Sequence, residues 1–370
     1  MWRSEQATAQ PVRHRSFTIA ALVAALVAAL ALGAPGAFAQ FTFQFGAGAA
    51  WDDNPLNVNG ASGSSIITAD AAVNYSINAA NFGYRGSYVG YDQLSSVDAI
   101  IGSAWASYET RRLSVAALFD HRTSIEERLY DYAGVTASAE SGWATPGGTR
   151  LSLGIEGSVF RFPILTERNK EMIGVSTRIN RSFRTRTTII VGLGATATNY
   201  SGDVFADAGA SVTQGWASLR LAQSVGNQTG LALQATFRGM GGADAASFTI
   251  SEDSISYALL DDPSLYSMQR AGVELTHMLM DYSLTLKAGA YLSTRDYKTQ
   301  GVYTDEFTYD DTADRIDDAA SVWASASLHL RRFGPDATIT MSAQWSDNSS
   351  NSYWYDWSGS YLSLGIQYSF

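Results

Sequence analysis

Catalysis in this chain would need a nucleophile, a base and an orienting group converging on one point, and the histidines are the first place to look. Three of the four, His121, His277 and His329, lie beyond residue 39. Asp120 and His121 resemble a dyad, but neighbours on a strand point to opposite faces, so Asp120 can orient His121 only if the strand has already ended there. His277 sits beside a Met280-Asp281 turn and His329 near Gly334-Pro335, both far from His121. No catalytic residue, cofactor site or enzymatic activity is expected from this set. The segment Asp305 to Asp318 holds Asp305, Glu306, Asp310, Asp311, Asp314, Asp317 and Asp318 against a single Arg315. Hard divalent cations take such oxygen ligands, but the spacing is not that of an EF-hand. The expectation is a solvated acidic loop without a defined metal site.

A different chemistry is written at period two. Arg85, Arg150, Glu156, Arg178, Arg238, Arg270, Glu274, Lys287 and Arg295, with Asp70, Arg122 and Arg220, each fall on the polar side of an alternation. From Phe41 to Trp51 the odd positions are Phe, Phe, Phe, Ala, Ala and Trp, and the even ones Thr, Gln, Gly, Gly and Ala. Leu151, Leu153, Ile155 and Val159 alternate with Arg150, Ser152, Gly154, Glu156 and Ser158; Leu284 through Leu292 repeat the pattern around Lys287. Apolar residues two apart specify strands with one apolar and one polar face; a helix would space them three and four apart. Such segments, counted between turn signals, predict about sixteen strands. Short turns, such as Asn78-Ala79-Ala80-Asn81, Thr110-Arg111, Gly226-Asn227-Gln228 and Gly334-Pro335-Asp336, alternate with longer loops. The longest loops are Asp52 to Gly63, Gly242 to Leu265, Lys298 to Asp318 and Asp347 to Gly359. That alternation is how an up-and-down antiparallel barrel is connected.

If the apolar faces meet lipid, the charged faces have only the interior to occupy. The alternative is a soluble all-β sandwich, which would bury the apolar faces and would not carry so many Gly and Ala in its strands. Within a barrel, basic residues outnumber acidic ones on the inward face, and charge lining a pore sets its selectivity. The bland counter-reading is that these charges pair and stiffen the wall, as Arg270 and Glu274 could on one strand. Tyr353-Trp354-Tyr355-Asp356-Trp357 is dense in aromatics, which can stack on sugar rings or anchor a barrel at the interface; alternate aromatics match the interfacial girdle.

Both ends of the chain agree with a barrel that crosses a membrane. Residues 1–39 read as a cleavable signal peptide, with Arg3, Arg13 and Arg15 before an apolar run and small residues at Ala37-Phe38-Ala39. The rest, 40–370, reads as one domain without a helical repeat ahead of it. No later stretch is long and apolar enough to span as a helix. The chain has no cysteine, consistent with an oxidising compartment. Removing residues 1–39 takes three arginines and one glutamate from 25 basic and 35 acidic residues, leaving a still more acidic chain, poorly suited to nucleic acid. The final residues, Ser363-Leu364-Gly365-Ile366-Gln367-Tyr368-Ser369-Phe370, alternate polar or small with apolar and end on an aromatic.

That ending is similar to the signal strand that outer-membrane barrels present to the barrel-assembly machinery, with Gly365, Tyr368 and Phe370 in the characteristic slots. The opening, Phe45-Gly46-Ala47-Gly48-Ala49-Ala50-Trp51-Asp52-Asp53-Asn54-Pro55-Leu56, resembles a β-barrel porin family found among proteobacterial exopolysaccharide gene products, as does the last hairpin from Trp345. The resemblance implies an outer-membrane location, a pore and a link to exopolysaccharide systems; it transfers no catalytic or binding residue. In that location the expected partners are membrane lipid and lipopolysaccharide, the latter beside the acidic loop. The expected function is therefore porin-like diffusion of small or anionic solutes or polysaccharide, against a non-conducting barrel that binds glycan or a partner through its loops. Oligomeric state is not legible.

Overall fold

In the computed structural model, residues 39–126, 128–201, 211–241, 265–298, 301–310, 312–330 and 336–370 are described. Residues 1–38 of the expected signal peptide, the Gly202 to Ala206 loop, nearly all of the loop from Gly242 to Leu265, Asp311 and the Gly334-Pro335 turn lie outside them, while Ala39 already belongs to the first strand.

The described chain forms β1 (Ala39–Asp52), β2 (Ser64–Ile77), β3 (Ala80–Tyr91), β4 (Ala99–Glu109), β5 (Leu113–Ser124), β6 (Tyr132–Ala144), β7 (Thr149–Arg161), β8 (Lys170–Ser182) and β9 (Thr187–Tyr200). It continues through β10 (Ser211–Val225), β11 (Thr229–Gly241), β12 (Ser267–Leu279), β13 (Leu284–Tyr297), β14 (Val302–Tyr303), β15 (Tyr309–Asp310), β16 (Arg315–Leu330), β17 (Asp336–Ser350) and β18 (Trp357–Ser369). β14 and β15 form a small hairpin of their own. The other sixteen strands pair antiparallel with their sequence neighbours and close, β18 on β1, into a barrel. Closure places Gly48 opposite Gly365 and ends with Phe43 and Phe370 exchanging backbone hydrogen bonds of 3.1 and 3.0 Å. No edge of the barrel sheet is left open, the condition a sheet must meet in hydrocarbon.

Register decides which face is which. Phe41, Phe43 and Phe45 are 59%, 44% and 49% exposed, and the same outward row carries Ile155, Ile173, Leu292 and Leu364 around the barrel. Large apolar side chains this exposed suit lipid; in water they would be an aggregation hazard. The inward row is small and polar, and it also holds three tryptophans. Trp105, Trp216 and Trp323 lie on inward positions, each laid over a glycine of the next strand: Gly83, Gly194 and Gly289. A Cβ at any of the three would overlap the indole. A large ring over an absent side chain fills the wall without crowding the pleat.

The turns between strands are tight. Gly148 and Gly226 take φ of 78° and 75°, where a side chain is strained, and Arg186 accepts φ 62° in the β8–β9 turn. Residue 39 and residue 370 both lie at this turn end of the barrel; the longer loops gather at the other.

Gly194→Val should cost about 1–3 kcal/mol through overpacking against Trp216. Gly215→Val, where an added Cβ meets no atom within 4 Å, should leave stability nearly unchanged. Urea unfolding of the refolded barrel, followed by its loss of heat-modifiable migration, measures both; equal effects would refute the packing role given to the tryptophan.

Candidate functional site on the inner wall

Every charged residue expected on the inner face sits there by register. Asp70 and Arg85 share the face of Gln44 and Gly46. Arg150, Glu156 and Arg178 follow on β7 and β8, Arg220 and Arg238 on β10 and β11, Arg270 and Glu274 on β12, and Lys287 and Arg295 on β13. Arg122 is also inward and donates to the Val97 carbonyl at 2.8 Å. Asp120 and Glu140 join them, unselected from sequence although their parity placed them there.

Pairing is partial. Arg85 meets Asp70 at 3.2 Å, and Ser87 donates to the same carboxylate. The pair suggested between Arg270 and Glu274 does not form. Residues four apart on a strand lie some 13 Å apart, beyond comfortable side-chain reach. Glu274 instead accepts from Arg220, two strands away, at 3.1 Å, and Arg270 lies 3.8 Å over the Tyr291 ring. Arg150, Arg178 and Lys287 have no carboxylate in ion-pair range among the described residues. Arg85, Arg150, Glu156, Arg178 and Lys287 point inward and are nevertheless exposed, so open space lies in front of them.

Towards the loop end the interior narrows to a cavity of about 500 Å³. Tyr291, Arg295, Gln344, Trp357 and Tyr361 line it from β13, β17 and β18. Arg168, on the loop joining β7 and β8, lines it from the opposite side of the strand order. That loop is held by a 3-10 turn at Thr166–Arg168 and by Asn169, whose side-chain oxygen accepts the Phe162 amide at 2.6 Å.

The cavity wall corrects two expectations. The acidic segment is not wholly a solvated loop: β16 begins at Arg315, and Arg315 and Asp317 form a buried ion pair, 5% and 1% exposed. The guanidinium is sandwiched 4.1 Å from the Tyr297 ring and 3.2 Å from Tyr355, and Asp317 also accepts from Ser350 at 2.7 Å. Nor do Tyr353, Tyr355 and Trp357 form an outward girdle. Residues Tyr353–Tyr355 make a 3-10 turn that folds Tyr355 onto Arg315, while Trp357 faces the cavity. A buried charge needs its partners close, and this demand overrides the aromatic alternation. Burial, opposed by Arg315, pushes the Tyr355 phenol well above its ordinary pKa, so it stays a neutral ring.

Outside the wall, Asp305 caps its own turn by accepting the Phe307 and Thr308 amides at 2.9 Å, and Asp310 accepts from Thr312. These bonds hold both carboxylates below their ordinary pKa. Lys298 sits between Asp296 and Asp314 at 3.3 and 3.4 Å. Among the described residues no cluster of three or more His, Asp or Glu is arranged to hold a metal.

The histidines stay apart. β5 runs on to Ser124, so Asp120 points inward, to Ser103, and His121 outward, between Phe119 and Tyr84. His277 meets Thr229 at 2.9 Å on the outer face and His329 meets Thr338 at 2.8 Å on the inner one.

No protein-family model matches the chain, and no curated protein is similar to it in sequence. Solved structures are similar in fold. Acinetobacter baumannii OccAB1 aligns at 10% identity and TM-score 0.53 over 90% of this chain and 97% of its own. Pseudomonas aeruginosa OccK2, solved in complex with glucuronate, aligns at 10% and 0.53 over 90% and 98%. A bacterial polysaccharide outer membrane secretin aligns at 10% and 0.50 over 89% and 98%. The fold shared is the outer-membrane porin barrel.

Arg315→Met leaves Asp317 buried without its cation and should cost on the order of 3–5 kcal/mol, read by urea unfolding. It should also open residues 301–310 to limited proteolysis while the barrel strands stay protected. Unchanged cleavage would mean that the ion pair does not hold the β14–β15 hairpin.

Proposed function

We propose that the chain is an outer-membrane channel for passive diffusion of small hydrophilic solutes, with a preference for anions. The observation that carries this reading is the set of inward charges that remain exposed, above all Arg150, Arg178 and Lys287, which lack carboxylate partners among the described residues. Unpaired cations facing a water-filled passage attract anions and repel cations, and low-dielectric walls focus that field. Loops face outward and turns the periplasm in this reading, as in barrels of even strand number. Residues 1–39 are removed on export, and the acidic outer hairpin lies level with lipopolysaccharide.

A link to exopolysaccharide systems is part of the proposal, supported by the opening strand's resemblance and by the fold likeness to a polysaccharide secretin. A second reading, a non-conducting barrel that binds through its loops, draws on the clamp at Arg315 and on the narrowing by Arg168.

Single-channel recording of the refolded chain under a salt gradient separates the two. Stable steps with an anion-selective reversal potential are expected. The triple variant Arg150→Gln, Arg178→Gln, Lys287→Gln should move that potential toward cation selectivity. Silence from a folded barrel would sink the channel reading and leave the loop-binding one. The proposed partnership of Gly365, Tyr368 and Phe370 with the assembly machinery has its own check. Phe370 is 61% exposed and its ring lies 5.9 Å from that of Phe45. Phe370→Asp should reduce insertion in cells several-fold; normal insertion would remove that role.

A further inference from the structure

Charge is segregated along the barrel axis. At the loop end the exposed charges are mostly acidic, among them Asp92, Asp305, Glu306, Asp314 and Asp356, while the exposed cations Arg128 and Lys298 are each held by acids. Among the described residues, the arginines of the turn end gather on one side; Arg331 and Arg332, between β16 and β17 in the sequence, lie outside the described residues. Arg111 and Arg112 lie in the β4–β5 turn, Arg150 just after the β6–β7 turn, and Arg181, Arg184 and Arg186 around the β8–β9 turn, all of them exposed. Strand order makes these three turns consecutive on the rim. At about 4.8 Å per strand they span an arc of roughly 25 Å. None of the six is in an ion pair among the described residues, and the nearest acid in those turns is Glu109. Asp281 and Asp336 belong to turns elsewhere on the rim.

The crescent is also positioned. The Arg112 carbonyl accepts the Gly142 amide at 2.8 Å, tying the first turn to β6. Arg186 donates to the Gly226 carbonyl at 3.0 Å and to Asn227 at 2.9 Å, which fixes the third turn against its neighbour. Arg181, on the outward row at the barrel's edge, stacks 4.8 Å over Phe183. Arg150 faces inward, and Arg178 continues the line deeper into the wall on the adjoining strand.

We propose that this crescent is a binding surface for a solute or chain that carries several anionic groups, phosphate or carboxylate, and that it delivers the bound end to the inner wall through Arg150 and Arg178. The inference rests on the channel reading for its second half only. One exposed arginine holds an anion weakly and salt screens it, so a single charge gains little here. Several guanidinium forks along one arc favour a multivalent ligand, because each further contact is made at high effective concentration. Among the described residues the acidic loop end offers no such surface, so binding is sided.

The test uses the full barrel in neutral phosphatidylcholine bilayers, with orientation assigned by protease cleavage of the loops. Tripolyphosphate added at the turn end is expected to interrupt the current at concentrations at least ten-fold lower than at the loop end. Raising the salt to 1 M KCl should weaken the effect. The variant Arg111→Gln, Arg112→Gln, Arg181→Gln, Arg184→Gln should lose the sidedness. Citrate in place of tripolyphosphate separates the chemistries: equal block shows that charge alone is read, and block by tripolyphosphate only shows phosphate recognition. Equal block from both ends, or sided block that survives in the variant, overturns the inference. Should the barrel carry no current, the channel reading fails by itself. Calorimetric binding of tripolyphosphate to the barrel in neutral nanodiscs, at least ten-fold weaker in the variant, then tests the surface alone. Binding equal in the two would overturn it, as would a variant whose only defect is affinity for anionic vesicles, which would assign the arginines to lipid headgroups.

Discussion

Everything in this molecule depends on the demand that each strand amide and carbonyl find a partner where water cannot supply one. An open sheet of sixteen strands would leave two edges unpaired; joining β18 to β1 removes both. Once the sheet is closed there are only two environments, an outside and an inside. Period-two alternation then assigns every residue of every strand to one of them. A slip of one position would turn Phe41, Phe43 and Phe45 inward and send Arg150 or Lys287 into the lipid, so the apolar row fixes the charged row.

The inner wall is built under a second constraint, that charge without solvent must be matched. Where the interior is open, Arg150, Arg178 and Lys287 stand in space with no carboxylate partner among the described residues. Where it narrows, Arg315 is enclosed, and it is met by Asp317, itself held by Ser350, and by the rings of Tyr297 and Tyr355. One residue type therefore has two roles set by its surroundings: a field-setting charge in the wide part and a structural clamp in the narrow part. The clamp also joins the two last loops, because Tyr303 donates its amide to the Ser352 hydroxyl at 3.0 Å beside it.

Much of this was legible in the strands. Their number, their antiparallel order and the inward position of the charged residues follow from alternation between turn signals, because the strand period is two and the turns are short. What alternation cannot reveal is which partner each charge selects. Arg220 reaches Glu274 across β11, a pairing set by the stagger of three strands, while Arg270, on the same strand as Glu274, stacks on Tyr291. The tryptophans over Gly83, Gly194 and Gly289 were open to inference, since Trp216 shares its parity with Gln214 and Arg220.

By itself the sequence determined the barrel, its two faces and the charge each face carries, because these depend on local periodicity and on the solvent each face meets. Only the tertiary structure decided the fate of the loops and the grouping of charges around the circumference. Tyr355 turns inward because a distant strand presents a buried guanidinium, and Arg168 meets the far wall because closure brings that wall within reach. The arginines of three separate turns become one surface because strands that follow one another in the chain also lie side by side, which sets their turns along one arc of the rim.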